Sequence, residues 1–231
     1  MVPAAPADLA RRRDRLVQSI RRNHEMGAFG RIVLADATLG DDDRADLFGT
    51  LPFLEIPVLH TSPHGEHSGP SYLEALLYGE LLRTRTVARD GEPWVKVTGG
   101  YTVTNLEAVL DAFERHGGSG LGFLHQHPLR LQPRYAMSAF YLLDGTHMNR
   151  FFEFVSEGAE RARREPLEGF LLEFLRGQGA ATVRAPYPQI DAWFATAGLS
   201  SDSPKLRANW AAWRILSALG VYALRLPPVA P

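Results

Sequence analysis

Cysteine is absent from all 231 residues. That excludes disulfides, thiolate metal sites and cysteine nucleophiles, and with them a secreted scaffold stapled by disulfides. Long apolar runs are missing too: no stretch reaches the roughly 18 consecutive apolar residues of a membrane-spanning helix, and the N-terminus lacks the apolar core of a signal peptide. The richest late segment, Trp210 to Leu224, is interrupted by Arg214 and reads as the last packed helix of a domain. Neither sign of charge prevails. Lys and Arg number 25 against 26 Asp and Glu, a formal net charge of -1, so no global basic field points to nucleic acid or an anionic membrane. These absences make the cytoplasm the default compartment. The length suits a single α/β domain over 1–231, with flexible Pro/Ala-rich ends at 1–7 and 226–231. Composition leaves the oligomeric state open.

What is present centres on Trp94-Val-Lys-Val-Thr-Gly-Gly-Tyr-Thr-Val103. After the turn signal Asp90-Gly-Glu-Pro93 it alternates as a strand does, then breaks at Gly99-Gly100 before a second extended run. Glycines at a strand end let a ligand approach the backbone, and Lys96, Thr98 and Tyr101 beside them offer donors to an anion or a sugar hydroxyl. The competing reading is a hairpin or bulge whose glycines serve only the turn.

Around this segment the periodicity predicts an Arg-rich amphipathic helix from an Asp8 cap, with Leu9, Leu16, Val17 and Ile20 inward. A strand over 31–36 follows and ends at Asp36, where a carboxylate faces the ligand crevice of an open α/β sheet or caps the next turn. A short helix spans 43–48 and an edge strand 56–60. Ser71 and Glu74 read as the capping box of a helix over 72–84, with Leu73, Leu76, Leu77 and Leu81 inward. Further on come a helix over 106–115 capped by Asn105, strands over 120–124 and 135–143, a turn at 144–147, and a helical stretch over 156–176 broken at Pro166. Strands alternating with helices, joined by right-handed crossovers, predict a largely parallel sheet. Histidines cluster at His60, His64 and His67 and again at His125 and His127, but neither set has zinc-finger or zincin spacing, so loop and hydrogen-bonding roles outrank metal.

The order of these elements resembles a family of small bacterial glycosyltransferase-type proteins with a GT-A-like, nucleotide-diphospho-sugar transferase core. Their basic helix ending in Ser-Ile is similar to Arg13 to Ile20, and their strand ending in D-N-S to Ile32 to Thr38. Their signature K-x-T-G-R-Y-x-V-x-N resembles Lys96 to Asn105, with Gly100 in place of the arginine. A D-T-R-F-F element is similar to Met148 to Phe152 without its acidic residue, an L-E pair to Leu167-Glu168, and a G-x-S-G-S loop to Gly198 to Ser203. The resemblance covers roughly residues 11–205 and implies a mostly parallel central sheet flanked by helices, its first strand truncated or altered. It implies a nucleotide-sugar donor and a glycan-precursor or small-molecule acceptor. Lys96, Thr98, Gly99, Tyr101 and Arg150 would bind the donor, Asp36 would contact nucleotide or sugar, and Glu168 would be the base, ahead of Glu173 and Asp144. Lys96 and Thr98 stand where many such enzymes carry a metal-binding D-x-D, so no divalent metal or other cofactor is expected. The alternative is a non-catalytic binding or scaffold protein retaining the fold.

Overall fold

A computed structural model of the chain describes residues 6–35, 41–55, 69–84, 89, 91–115, 120–124, 136–177, 188–191, 193–194 and 199–200, with isolated positions at 204, 207–208, 211–212 and 215. The first helix, α1 (Pro6–Glu25), starts earlier than its capping signal: Pro6 takes the first helical position, which needs no N–H, so Asp8 lies inside the helix. It ends where Gly27 adopts φ 67° and donates to the His24 carbonyl, a left-handed stop that glycine makes without strain. Then come β1 (Ile32–Val33), α2 (Asp41–Thr50) and β2 (Leu54–Glu55), with β1 and β2 paired in parallel. Leu16 and Ile20 of α1 pack with Leu34, Leu47, Leu51 and Leu54 in a small core.

Next in the chain are α3 (Pro70–Arg83), β3 (Pro93–Val97), β4 (Thr102–Val103), α4 (Leu106–Arg115), β5 (Gly120–Leu124) and β6 (Ala136–Asp144). The helical run α5 (Gly145–Glu157), α6 (Ala159–Ala162) and α7 (Leu167–Gly177) precedes β7 (Ile190–Asp191), β8 (Trp193–Phe194) and β9 (Leu199–Ser200). The chain is thus of mixed α/β character. Its largest described sheet has the order β3-β6-β5 and is antiparallel throughout, whereas the parallel pair is confined to β1 and β2. The expected mostly parallel sheet is not found among the described residues. The reason is non-local: β3 pairs with β6, more than forty residues downstream, and not with the strands that precede it.

β6 organises the molecule because it is buried on both faces. Tyr141 and Leu143 point into a layer made by α3, α5, α6 and α7. Met137, Phe140 and Leu142 point the other way, onto Val103, Leu106, Val109, Ala112, Phe113 and Ile190. Such a strand reads as a continuous apolar run, the pattern usual for buried parallel strands. The Asp144 turn is instead the N-cap of α5, its side chain accepting from His147 N at 3.0 Å. On α3 the buried face is Tyr72, Ala75, Tyr78 and Leu81, so of the four expected inward leucines only Leu81 is fully enclosed.

Candidate functional site

β3 splits its side chains by parity. Val95 and Val97 pack toward α4, while Trp94 faces the α3–α5–α7 layer, as Lys96 does opposite its register partner Tyr141. A lysine sent into that layer requires acceptors. Lys96 Nζ donates to Thr98 Oγ1 at 3.0 Å and to the Ser138 carbonyl at 2.5 Å, and forms an ion pair with Glu74 Oε1 at 2.8 Å. Two hydrogen bonds and one ion pair thus hold the ammonium in place. The Lys96 and Glu74 side chains are 18% and 26% exposed, so the pair lies at the edge of the core.

Glu74 Oε1 also receives the Tyr78 hydroxyl at 2.6 Å, and Tyr78 meets Tyr141 hydroxyl to hydroxyl at 2.8 Å. With its single proton given to the carboxylate, Tyr78 accepts from Tyr141, and a chain runs from the core to Glu74. Burial, and then the charge of Glu74, pushes both phenols well above the usual tyrosine range. On the other side, Ser138 Oγ donates to Glu168 Oε1 at 2.7 Å. Glu168 Oε2 makes no hydrogen bond or ion pair among the described residues. A fourth tie, Leu167 N to Ser71 Oγ at 3.1 Å, holds the start of α7 against the start of α3.

No family model, curated protein or solved structure matches this chain. The site therefore rests on its own geometry.

Of the residues singled out in the sequence, Lys96, Thr98 and Glu168 come together, linked through Ser138. Gly99 and Gly100 form the turn that follows, closed by Tyr101 N donating to the Thr98 carbonyl at 3.2 Å. Gly100 there has φ 83°, a conformation in which an arginine would be strained. Tyr101 is turned away: its ring packs on the α4-side core, burial raises its phenol, and its carbonyl accepts from Asn23 Nδ2 at 3.1 Å. Arg150 lies exposed on α5 and makes no hydrogen bond or ion pair with the Lys96 group. Asp36 and the five histidines His60, His64, His67, His125 and His127 lie outside the described residues. Glu173 pairs with Arg161 through Oε2 at 2.6 Å and both oxygens of Asp144 meet His147, whereas Glu168 is tied to Ser138, beside Lys96.

Glu74, Tyr78, Ser138 and Tyr141 were not singled out for chemistry in the sequence. Glu74 looks like a capping-box residue, yet α3 has Gly69 at its N-cap with no side-chain cap, and Ser71 bonds to α7. The i,i+4 spacing of Glu74 and Tyr78 was the one local signal available. Among the described residues, no three His, Asp or Glu side chains converge as a metal ion requires, and no helix is long and apolar enough to cross a membrane.

Proposed function

We propose that the protein is a glycosyltransferase-like enzyme with a GT-A-type core, moving a sugar from a nucleotide-activated donor to a glycan precursor or small-molecule acceptor. The observation that carries the reading is the link through Ser138, whose carbonyl holds Lys96 and whose hydroxyl holds Glu168. One residue thus places a cation with its hydroxyl partner beside a carboxylate that keeps an oxygen open. In this reading Glu168 takes the proton of the acceptor hydroxyl, a step for which a positioned carboxylate contributes about 10²–10⁴-fold. The donor diphosphate is met by a lysine and a hydroxyl, with Arg150 as a second cation, and divalent metal is not required. The order of sequence motifs supports the same assignment.

A non-catalytic binding or scaffold role is the second reading. It is favoured by the engagement of Lys96 within the fold, where its charge is already met by Glu74 and a phosphate has to compete with that ion pair. Calorimetric titration with a panel of nucleotide sugars, with and without Mg²⁺, separates the two. The transferase reading expects binding that weakens in Lys96→Ala and Arg150→Ala, and turnover lost in Glu168→Gln with binding retained. Binding unchanged by both cation variants would overturn it.

A further inference from the structure

Two phenols lie in the apolar layer behind Lys96, and packing alone does not call for their hydroxyls. Tyr141 is fully buried and Tyr78 nearly so. Aromatic neighbours hold both rings: Tyr78 stacks on Phe152 with centroids 4.5 Å apart, and Tyr141 meets Phe151 edge-on at 5.5 Å. Phenylalanine would fill the same space without the cost of burying a hydroxyl. Each hydroxyl is instead used in one direction. Tyr141 donates to Tyr78, and Tyr78 donates to Glu74 Oε1, the oxygen that pairs with Lys96. Tyr141 also meets Lys96 directly, as its register partner on β6 and with Nζ 5.8 Å from the ring centroid.

We infer that Tyr78 and Tyr141 are positioning residues for Lys96: two rings fixed in the core orient Glu74, and Glu74 orients the ammonium. Lysine and glutamate are rich in rotamers, so a pair of them at the edge of a core loses much freedom when it is held in one geometry. Here the glutamate takes its geometry from stiff rings already locked by packing, and the order of the core is passed outward to the charge. The inference rests on reading Lys96 as the cation of the proposed donor site, but its test needs no ligand.

Lys96 and Lys205 are the only lysines of the chain, so amine chemistry can follow Lys96 by itself. The full chain is acylated with acetic anhydride at one fixed pH, folded and in urea, and each lysine is followed by peptide mass spectrometry. Lys96 is expected to react about tenfold more slowly in the folded chain than in urea, the scale of one charge-assisted hydrogen bond. Tyr78→Phe is expected to remove about threefold of that protection and Glu74→Gln more, with Tyr141→Phe, one bond further back, removing less. Leu171→Ala opens the same layer without touching a hydroxyl, so it is expected to lower the melting temperature and leave Lys96 protection as it was. Circular dichroism checks each fold, and Tyr141→Phe carries the test should Tyr78→Phe not fold. Protection unchanged in the phenylalanine variants, or lost to the same extent in Leu171→Ala, would overturn the inference. The transferase reading fails separately. Phenol-dependent protection without binding of any nucleotide sugar supports this inference and sinks that reading, whereas nucleotide-sugar turnover with protection that ignores the phenols sinks this one alone.

Discussion

Lys96 and Glu74 stand partly inside the protein, where an ion pair is worth more than on the surface and one broken pair costs more than two apolar replacements. Lys96→Met is expected to lower stability by about 1–3 kcal/mol in urea titrations, because Glu74, Thr98 and the Ser138 carbonyl all lose a partner. Adding Glu74→Leu to that variant should recover part of the loss, and the double-mutant cycle measures the coupling. Tyr78 and Tyr141 carry a pH dependence of their own. Both phenols are raised in the folded state, so the stability they contribute is present below the unfolded-chain value of about 10 and is lost as pH climbs past it. Stability should therefore fall on the alkaline side of pH 10, and Tyr78→Phe with Tyr141→Phe should flatten that limb; near-ultraviolet absorbance would show whether the phenols ionise only on unfolding. Lys96 and Thr98 were legible in the sequence because they flank an interrupted strand. Ser138 and Tyr141 were not, since residues in an apolar strand carry no local mark of the lysine they will meet.

Elements meet here by close approach, and two glycines mark where. A Cβ on Gly122 of β5 would lie 2.3 Å from Leu175 Cδ1 of α7, and one on Gly158, between α5 and α6, would lie 2.7 Å from the Phe170 ring and 3.3 Å from the Phe154 carbonyl. Overpacking of this kind costs about 1–3 kcal/mol. Gly158→Ala should be the more damaging of the two, because its obstacles are a buried ring and a backbone atom, whereas a leucine methyl can rotate aside; thermal melts of both variants rank them. The helices themselves were largely visible in the periodicity. α4, α7 and the break at Pro166 fall close to where the pattern puts them, since an amphipathic face is a local property. Capping is less legible: Ser71 and Asp8 have the right chemistry for caps, but the chain starts both helices with proline a residue or more earlier.

Across the whole molecule, β6 ties two packed layers into one unit. Phe140 faces one layer and Phe151 of α5 lies in the other, both fully buried. Phe140→Ala and Phe151→Ala should each cost about 3–5 kcal/mol and should lower the midpoint of the same single denaturation step. Two separated steps would instead mean that the layers unfold independently. The sequence by itself determined the mixed α/β character, the positions of most helices and the strand that carries Lys96 and Thr98, because propensity, periodicity and turn chemistry act over a few residues. Only the tertiary structure decided that β3 runs antiparallel to β6, that Glu74 serves the lysine, and that Ser138 joins Lys96 to Glu168. Strand direction and side-chain partnership depend on which distant segments bury one another's apolar faces, and that is settled over the whole chain at once.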